Sequence, residues 1–326
     1  MHTYKYILFF IMFVTLAVFI GCNKNDNPSD PSQNNESEIL VKYLEANGDY
    51  INTLAPVLIS AEEVREGQLN NAKQVIFDIR ASCDYYTKGH INGAVLITLK
   101  DIPAYYRNHS LDKMDKVIIT CGTGQAANYA AALLRLYGYN NIYAMNFGMT
   151  SWNPACDSWS AYLSDIRASQ FQTTGYAKNK PGDLPELSTG KTTGAEILSA
   201  RVEEIMKPGF NYVQASNENL FLYLDEYYII NFCPYEQYLS GHVPNAVNYI
   251  PGQDLKLETF LKTIPADRTV VVYCSTGQTS AQAAAFLSVL GYDARSVLYG
   301  NNGMNYSSMT GKKFSSAEIH DYPVVH

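Results

Sequence analysis

Two cysteines sit in the same short phrase of this chain, Cys121-Gly122-Thr123-Gly124-Gln125-Ala126 and Cys274-Ser275-Thr276-Gly277-Gln278-Thr279, 153 positions apart. Each follows a β-rich apolar run, Val117–Thr120 or Val270–Tyr273, and each precedes a helix-forming stretch of small residues. A thiol at a strand end, followed by a Gly-containing loop that opens a helix, faces a crown of backbone N–H groups and the positive end of a helix dipole. Such donors favour the thiolate, the nucleophilic form of cysteine. A cysteine at a buried strand end is often only a small hydrophobe. Two copies with matching flanks weigh against that reading and point to a duplicated thiol-handling module.

The elements that must position the loops repeat with them. Val75-Ile-Phe-Asp78-Ile-Arg80 corresponds to Tyr228-Ile-Ile-Asn231-Phe-Cys233, and Asp78 and Asn231 both lie 43 residues before their loop cysteine. Next come Tyr86-Thr-Lys-Gly89-His90-Ile-Asn-Gly93-Ala94 and Tyr238-Leu-Ser-Gly241-His242-Val-Pro-Asn245-Ala246. Each copy closes on a Gly-Met turn, Phe147-Gly148-Met149 or Asn302-Gly303-Met304. Short Val/Ile runs alternating with helical stretches predict an α/β fold, a parallel sheet covered on both faces, with ligands beyond the carboxyl ends of the strands. The expected organisation is a first domain over 38–165, a linker over 166–190 and a second domain over 191–326. Residues 38–64 are expected to be helical and packed on the first domain, and Thr192–Lys207 to lead the second as a helix.

Residues 1–22 are read as a targeting segment, with Lys5 ahead of an uncharged, mostly apolar stretch from Tyr6 to Ile20. That stretch is short for a membrane span. Its end, Phe19-Ile20-Gly21-Cys22, resembles the bacterial lipoprotein signal. The resemblance implies lipidation of Cys22 and an exported chain anchored to the cell envelope; an uncleaved anchor is the alternative. Asn23–Ser37, rich in Asn, Ser, Pro and Asp, reads as a flexible tether. A net charge of −7 and a pI near 5.4 argue against nucleic acid as a partner. Cys83, Cys121, Cys156, Cys233 and Cys274 form an odd set without regular spacing, which suits neither a disulfide framework nor a zinc site. No metal or cofactor is expected.

The ordered set Asp-x-Arg, Tyr-x-x-Gly-His-Ile-x-Gly-Ala, then strand, Cys loop and helix, resembles the rhodanese (thiosulfate and mercaptopyruvate sulfurtransferase) family over roughly residues 60–155 and 210–305. The resemblance implies two tandem rhodanese-like domains, each a parallel five-stranded sheet flanked by helices. It also implies sulfur transfer from a small donor to a thiol or cyanide through a cysteine persulfide. Cys274 and Cys121 would be the nucleophiles. Gly122, Thr123, Gly124, Gln125 and Ala126, with Ser275, Thr276, Gly277, Gln278 and Thr279, would form their substrate-binding loops. Asp78 with Arg80, and His90 and His242, would be structural.

Neither loop carries Arg or Lys to meet a dianion, so thiosulfate is not favoured by charge, and both resemble the neutral loops of mercaptopyruvate enzymes. Position 127 is Ala and position 280 is Ser. Without an Arg there to clamp an oxyanion, phosphatase chemistry is not expected. The copies also differ: the first keeps Asp78 and Arg80, whereas the second has Asn231 and Cys233 but a hydroxyl-rich loop. Cys274 therefore ranks above Cys121, and Cys233 is read as structural, with a resolving thiol as the alternative. Two other functions stay open, a non-catalytic binding module and a thiol or persulfide redox sensor.

Overall fold

The computed structural model describes residues 35–326. The expected targeting segment, Cys22 and the expected tether as far as residue 34 lie outside the described residues; the last tether residues, Asn35, Glu36 and Ser37, instead cap and open a helix. Within them no helix is long and apolar enough to cross a membrane.

In chain order the first half comprises α1 (Glu36–Ala46), α2 (Tyr50–Thr53), β1 (Leu58–Ile59), α3 (Ala61–Leu69), β2 (Gln74–Asp78), α4 (Ser82–Thr87), β3 (Val95–Leu96), α5 (Ile102–Asn108), β4 (Lys116–Thr120), α6 (Gln125–Leu136), β5 (Ile142–Met145) and α7 (Met149–Trp152). The second half comprises α8 (Gly194–Met206), β6 (Gln214–Ala215), α9 (Asn217–Leu222), β7 (Tyr228–Asn231), α10 (Tyr235–Ser240), β8 (Val247–Asn248), β9 (Val270–Tyr273), α11 (Gln278–Val289) and β10 (Ala294–Val297). The sheets have orders β1-β5-β4-β2-β3 and β6-β10-β9-β7-β8, which are the same topology, and all pairs are parallel. Central strands such as Val117–Thr120 and Val270–Tyr273 are buried along their length, as strands covered on both faces must be. Local signals fix helix starts: Ser60 and Glu63 form a reciprocal capping box at α3, and Thr193 caps α8.

α6 and α11 pack on each other, and one apolar core runs through both halves, including Leu133 and Leu134 of α6 with Leu287 and Leu290 at α11. The chain ends are exchanged. Helix α1 packs on α8 of the second half, with its Glu36 carboxylate accepting from Thr189 N (2.8 Å) and Gly190 N (3.0 Å). Its Ser37 hydroxyl donates to Pro185 O. The expectation that the whole of 38–64 packs on the first domain therefore holds for α3, whose Val64 joins Ile59 and Ile76, but not for α1. In return, the C-terminal residues cross to the first half. His90 and Val325 exchange both backbone bonds at 2.9 Å, and the Trp152 indole donates to Pro323 O (3.0 Å). Between the halves, residues 171–193 run mostly without regular structure, pinned to the second sheet by bridges from Gln172 to His242 and from Tyr176 to Val247.

Candidate active site

Each cysteine closes a central strand and stands before a 12-residue helix whose N-cap is glycine, Gly124 for α6 and Gly277 for α11. Glycine offers no side chain to the free amides of the first turn. The cysteine sulfur supplies the missing acceptor: Ala127 N donates to Cys121 Sγ at 3.3 Å, and Ser280 N donates to Cys274 Sγ at 3.3 Å. These are the third helical amides, the ones a capping Ser or Asp would take. The sulfur thus sits at the positive end of each helix.

Burial opposes this crown of amides. Cys121 and Cys274 are 5% and 4% exposed. For Cys121, desolvation is the largest influence and pushes the thiol up, against the opposing pull of the Ala127, Thr123 and Gly124 amides. The loop amides act in the direction expected from the sequence but do not win at Cys121.

The turn after each last strand locks its loop. Cys121 O accepts from Met149 N (2.7 Å) and Gly122 O from Thr150 N (3.2 Å); in the second copy Cys274 O accepts from Asn301 N (3.0 Å) and Ser275 O from Asn302 N (3.1 Å). This pairs Gly148 with Gly300, both at positive φ, and a Cβ on either would strike the cysteine carbonyl. The sequence alignment of Gly148-Met149 with Gly303-Met304 is therefore corrected. The residue that must be glycine is set by its approach to the carbonyl, not by the methionine that follows Gly303.

The loop glutamines do not point at their own sulfur. Gln125 Oε1 accepts from Tyr299 N (2.7 Å) in the second half, and Gln278 Oε1 accepts from Phe147 N (2.9 Å) in the first. Thr123 Oγ1 and Thr276 Oγ1 steady them by accepting from Gln125 Nε2 (3.0 Å) and Gln278 Nε2 (3.4 Å). Gly124 and Gly277, at φ +83° and +77°, leave the room: a Cβ on one would meet the glutamine of the opposite loop. Deeper along the helices, Gln282 Nε2 donates to Asn128 Oδ1 (2.5 Å) and the Tyr50 hydroxyl to Gln282 Oε1 (2.6 Å). Above the loops lie Phe147, Trp159 and Phe314, with Tyr299 packed against them. The Trp159 indole donates to Thr123 O (3.0 Å), and Asn302 Nδ2 bridges Ser275 O (2.6 Å) and Lys312 O (3.0 Å). The first loop is thus covered by residues 158–159 and the second by residues 311–314. Ala126 and Thr279 complete the loops as the second residues of α6 and α11.

Around these loops the copies differ. Asp78 and Arg80 form a buried ion pair (Nη2 to Oδ2, 2.6 Å), and Arg80 also donates to Gly89 O (2.9 Å) and toward Cys156 Sγ (3.7 Å). In the second half Asn248 Nδ2 donates to Asn231 Oδ1 (3.1 Å) and Cys233 O (2.9 Å), so amides replace the ion pair. Burial, with the neighbouring Cys274 adding to it, drives the Cys233 thiol far up. His90 and His242 stack on Tyr85 and Tyr238 and face those residues' carbonyls, a loop-shaping arrangement away from either sulfur. Among the described residues all five cysteines are free thiols. Sequence reasoning missed Cys156, which sits on the Arg80 guanidinium, and Ser296, whose hydroxyl lies 2.9 Å from Ser280 Oγ.

Two cavities flank the site. One of about 680 Å³ is lined by Arg80, Ser82, Thr98, Ala126 and Phe210. The other, of about 820 Å³, is lined by Tyr176, Lys178, Tyr235, Asn248 and Phe260. The first reaches the cysteine loop through Ala126; the second lies off the ends of β7 and β8.

The rhodanese-like domain model matches residues 60–155 and 222–307. A thiosulfate sulfurtransferase, GlpE, of Pseudoalteromonas translucida is 31% identical over 87 residues, which are 27% of this chain and 80% of that protein. A candidate sulfur carrier protein of Bacillus subtilis, YrkF, is 28% identical over 119 residues, 36% of this chain, and the match spans 63% of its length. Of solved structures, a rhodanese-related protein of Thermoplasma volcanium is 27% identical over 27% of this chain and 86% of its own, with a TM-score of 0.25. The two matched segments, which contain both cysteine loops and span more than half of the chain, place it in the rhodanese-like domain family, carried twice in tandem.

Proposed function

We propose that the chain is a sulfurtransferase that moves sulfane sulfur from a small donor, such as thiosulfate, 3-mercaptopyruvate or a persulfide, to a thiophilic acceptor. The thiolate of Cys274, or of Cys121, attacks the outer sulfur of the donor. The donor's bond to that sulfur breaks, its electron pair leaves with the donor remnant, and a cysteine persulfide forms. A thiol or cyanide then attacks the terminal sulfur and the cysteine leaves as thiolate. Covalent storage divides one three-party transfer into two displacements. The observation that carries this reading is the sulfur held by the third amide of a glycine-capped helix, an arrangement that suits an anionic thiolate. Family membership and relatives named as thiosulfate sulfurtransferases support it.

The test is peptide-resolved mass spectrometry of wild type, Cys121→Ser and Cys274→Ser after exposure to each donor class. A gain of one sulfur at a loop cysteine, discharged by cyanide, is expected. No gain from any donor, on thiols that still alkylate, refutes the proposal. A second reading, a non-catalytic binding module, is favoured by the burial of both sulfurs under their covering segments and by loops without a cation. We further propose export and lipid anchorage through Cys22, to be checked by fatty-acid labelling that Cys22→Ala abolishes.

A further inference from the structure

The two sulfurs share their backbone cradle but not the side chains beneath it. At Cys274 the thiol lies 3.5 Å from Ser280 Oγ, Ser280 Oγ lies 2.9 Å from Ser296 Oγ, and Ser296 Oγ lies 3.3 Å from Gly277 O. Both hydroxyl side chains are fully buried. The corresponding positions beneath Cys121 are Ala127 and Ala144: Ala127 carries the amide that meets the sulfur, and Ala144 pairs with Ile119 as Ser296 pairs with Val272. The first sulfur therefore has no hydroxyl beneath it at either place.

We propose that Ser280 and Ser296 form a reversible hydroxyl chain that serves both charge states of Cys274 and makes it the reactive thiol of the pair, an inference that rests on the sulfurtransferase reading only for the use made of that thiol. With the sulfur protonated, the thiol donates to Ser280, Ser280 to Ser296, and Ser296 to Gly277 O. When the thiol proton leaves to solvent base, the hydroxyls rotate: Ser296 donates to Ser280, and Ser280 donates to the anionic sulfur alongside its own backbone amide. No proton passes along the chain, and Gly277 O keeps the Ala281 amide (3.2 Å) as its donor. The thiolate thus has a side-chain hydrogen bond that Cys121 lacks. A hydrogen bond to a charged group is stronger than one to a neutral group, so the chain favours ionisation.

The surroundings leave this effect in view. Cys233, two residues beyond β7, is a titratable neighbour of Cys274. On β10, Arg295 pairs with Asp293; in the covering segment, Lys312 pairs with Glu318 and Lys313 donates to Ser307 O (2.9 Å). The first turn of α11 carries no charged side chain.

The experiment is the pH dependence of alkylation of each cysteine, resolved by peptide, in wild type, Ser280→Ala, Ser296→Ala and the double variant. Ser280→Ala is expected to raise the Cys274 midpoint by about one pH unit, the scale of one charge-assisted hydrogen bond. Ser296→Ala should raise it less, and should add nothing once Ser280 is gone. The Cys121 profile should not move, which reports that the fold is intact. A Cys274 midpoint unchanged in Ser280→Ala, or equal effects of Ser296→Ala with and without Ser280, overturns the proposal. If the serine variants disturb Cys121, the converse substitution decides: Ala127→Ser with Ala144→Ser must lower the Cys121 midpoint, and failure to do so overturns it. Alkylation needs no sulfur donor, so a chain that passes this test yet transfers no sulfur refutes the proposed function alone.

Discussion

The crossed glutamines make the two halves depend on each other, and Gln278→Ala tests that dependence. In the native structure Gln278 Oε1 accepts from Phe147 N (2.9 Å), and Nε2 donates to Asn146 Oδ1 (3.0 Å). Truncation affects these groups unequally. Asn146 is only half buried and can turn to water. Asn128 Nδ2, which also approaches Gln278 Oε1, keeps its bond to Gly124 O (2.8 Å). Phe147 N–H has no such recourse, because the residue is fully buried in the aromatic cluster with Trp159 and Phe314. An unpaired buried donor costs about 1–3 kcal/mol. The expected loss is about 2 kcal/mol, or about 4 °C in Tm for a cooperative unit of this size. Thermal unfolding gives the total, and amide exchange at Phe147 assigns it, since that proton should lose protection although the substitution lies in the other half. Gln125→Ala should expose the Tyr299 amide likewise but cost less, because Tyr299 is only half-buried. An unchanged Tm together with unchanged exchange at Phe147 would show that the crossed bonds do not hold the loops, and the reasoning fails.

Asp78→Asn removes the charge partner of a buried guanidinium and should cost about 3–5 kcal/mol in urea unfolding. Asp78→Asn with Arg80→Cys, which installs the second copy's residues in the first, should recover part of that loss; a double variant as unstable as the single one contradicts the ion-pair account. Acidification should destabilise the second half through His242. Burial holds its pKa below the ordinary 6.5, despite the Tyr238 and Thr174 carbonyls. A neutral ring is thus preferred in the fold, and the unfolded chain takes up the proton first. Its stabilising contribution is complete above about pH 6.5 and is lost as pH falls through the lowered native value. Urea midpoints measured from pH 7.5 to 5 should decline more steeply for wild type than for His242→Asn, and parallel curves would refute this.

What could be read from the sequence follows from what is locally encoded. Runs such as Val270–Tyr273 announce buried parallel strands, and the strand–Cys–Gly–helix order locates both sulfurs with their helix amides. The errors arise where a residue's partner lies far along the chain. Nothing in the periodicity of Glu36–Ala46 says that its apolar face, Leu40, Val41 and Leu44, meets the second half rather than the first. The methionine that follows each pairs Gly303 with Gly148 in the sequence, whereas the backbone demands glycine at Gly300, under the Cys274 carbonyl. Gln125 and Gln278 read as cradle residues because they lie in the cysteine loops, but their carbonyl oxygens serve the opposite loop. Ser296 stood unnoticed in a strand, since only the β9–β10 register brings it under Ser280.

The reciprocity has a consequence for how the duplication is interpreted. Phe147 and Tyr299, both at positive φ, precede the glycines that lock the loops, and each has its amide satisfied by the other half's glutamine. Removing the Thr-Gly-Gln geometry from one copy would therefore unpair a loop amide in the other, fully buried at Phe147 and half-buried at Tyr299. A half whose cysteine no longer turned over would still be held to that loop sequence by the stability of its neighbour. The shared Cys-x-Thr-Gly-Gln phrase accordingly argues for a common frame rather than for two active sites. Evidence for chemistry must come from positions the frame does not fix. These are the residues beneath the sulfur, Ser280 and Ser296 against Ala127 and Ala144, and on that criterion the proposed transfer would belong to the second copy.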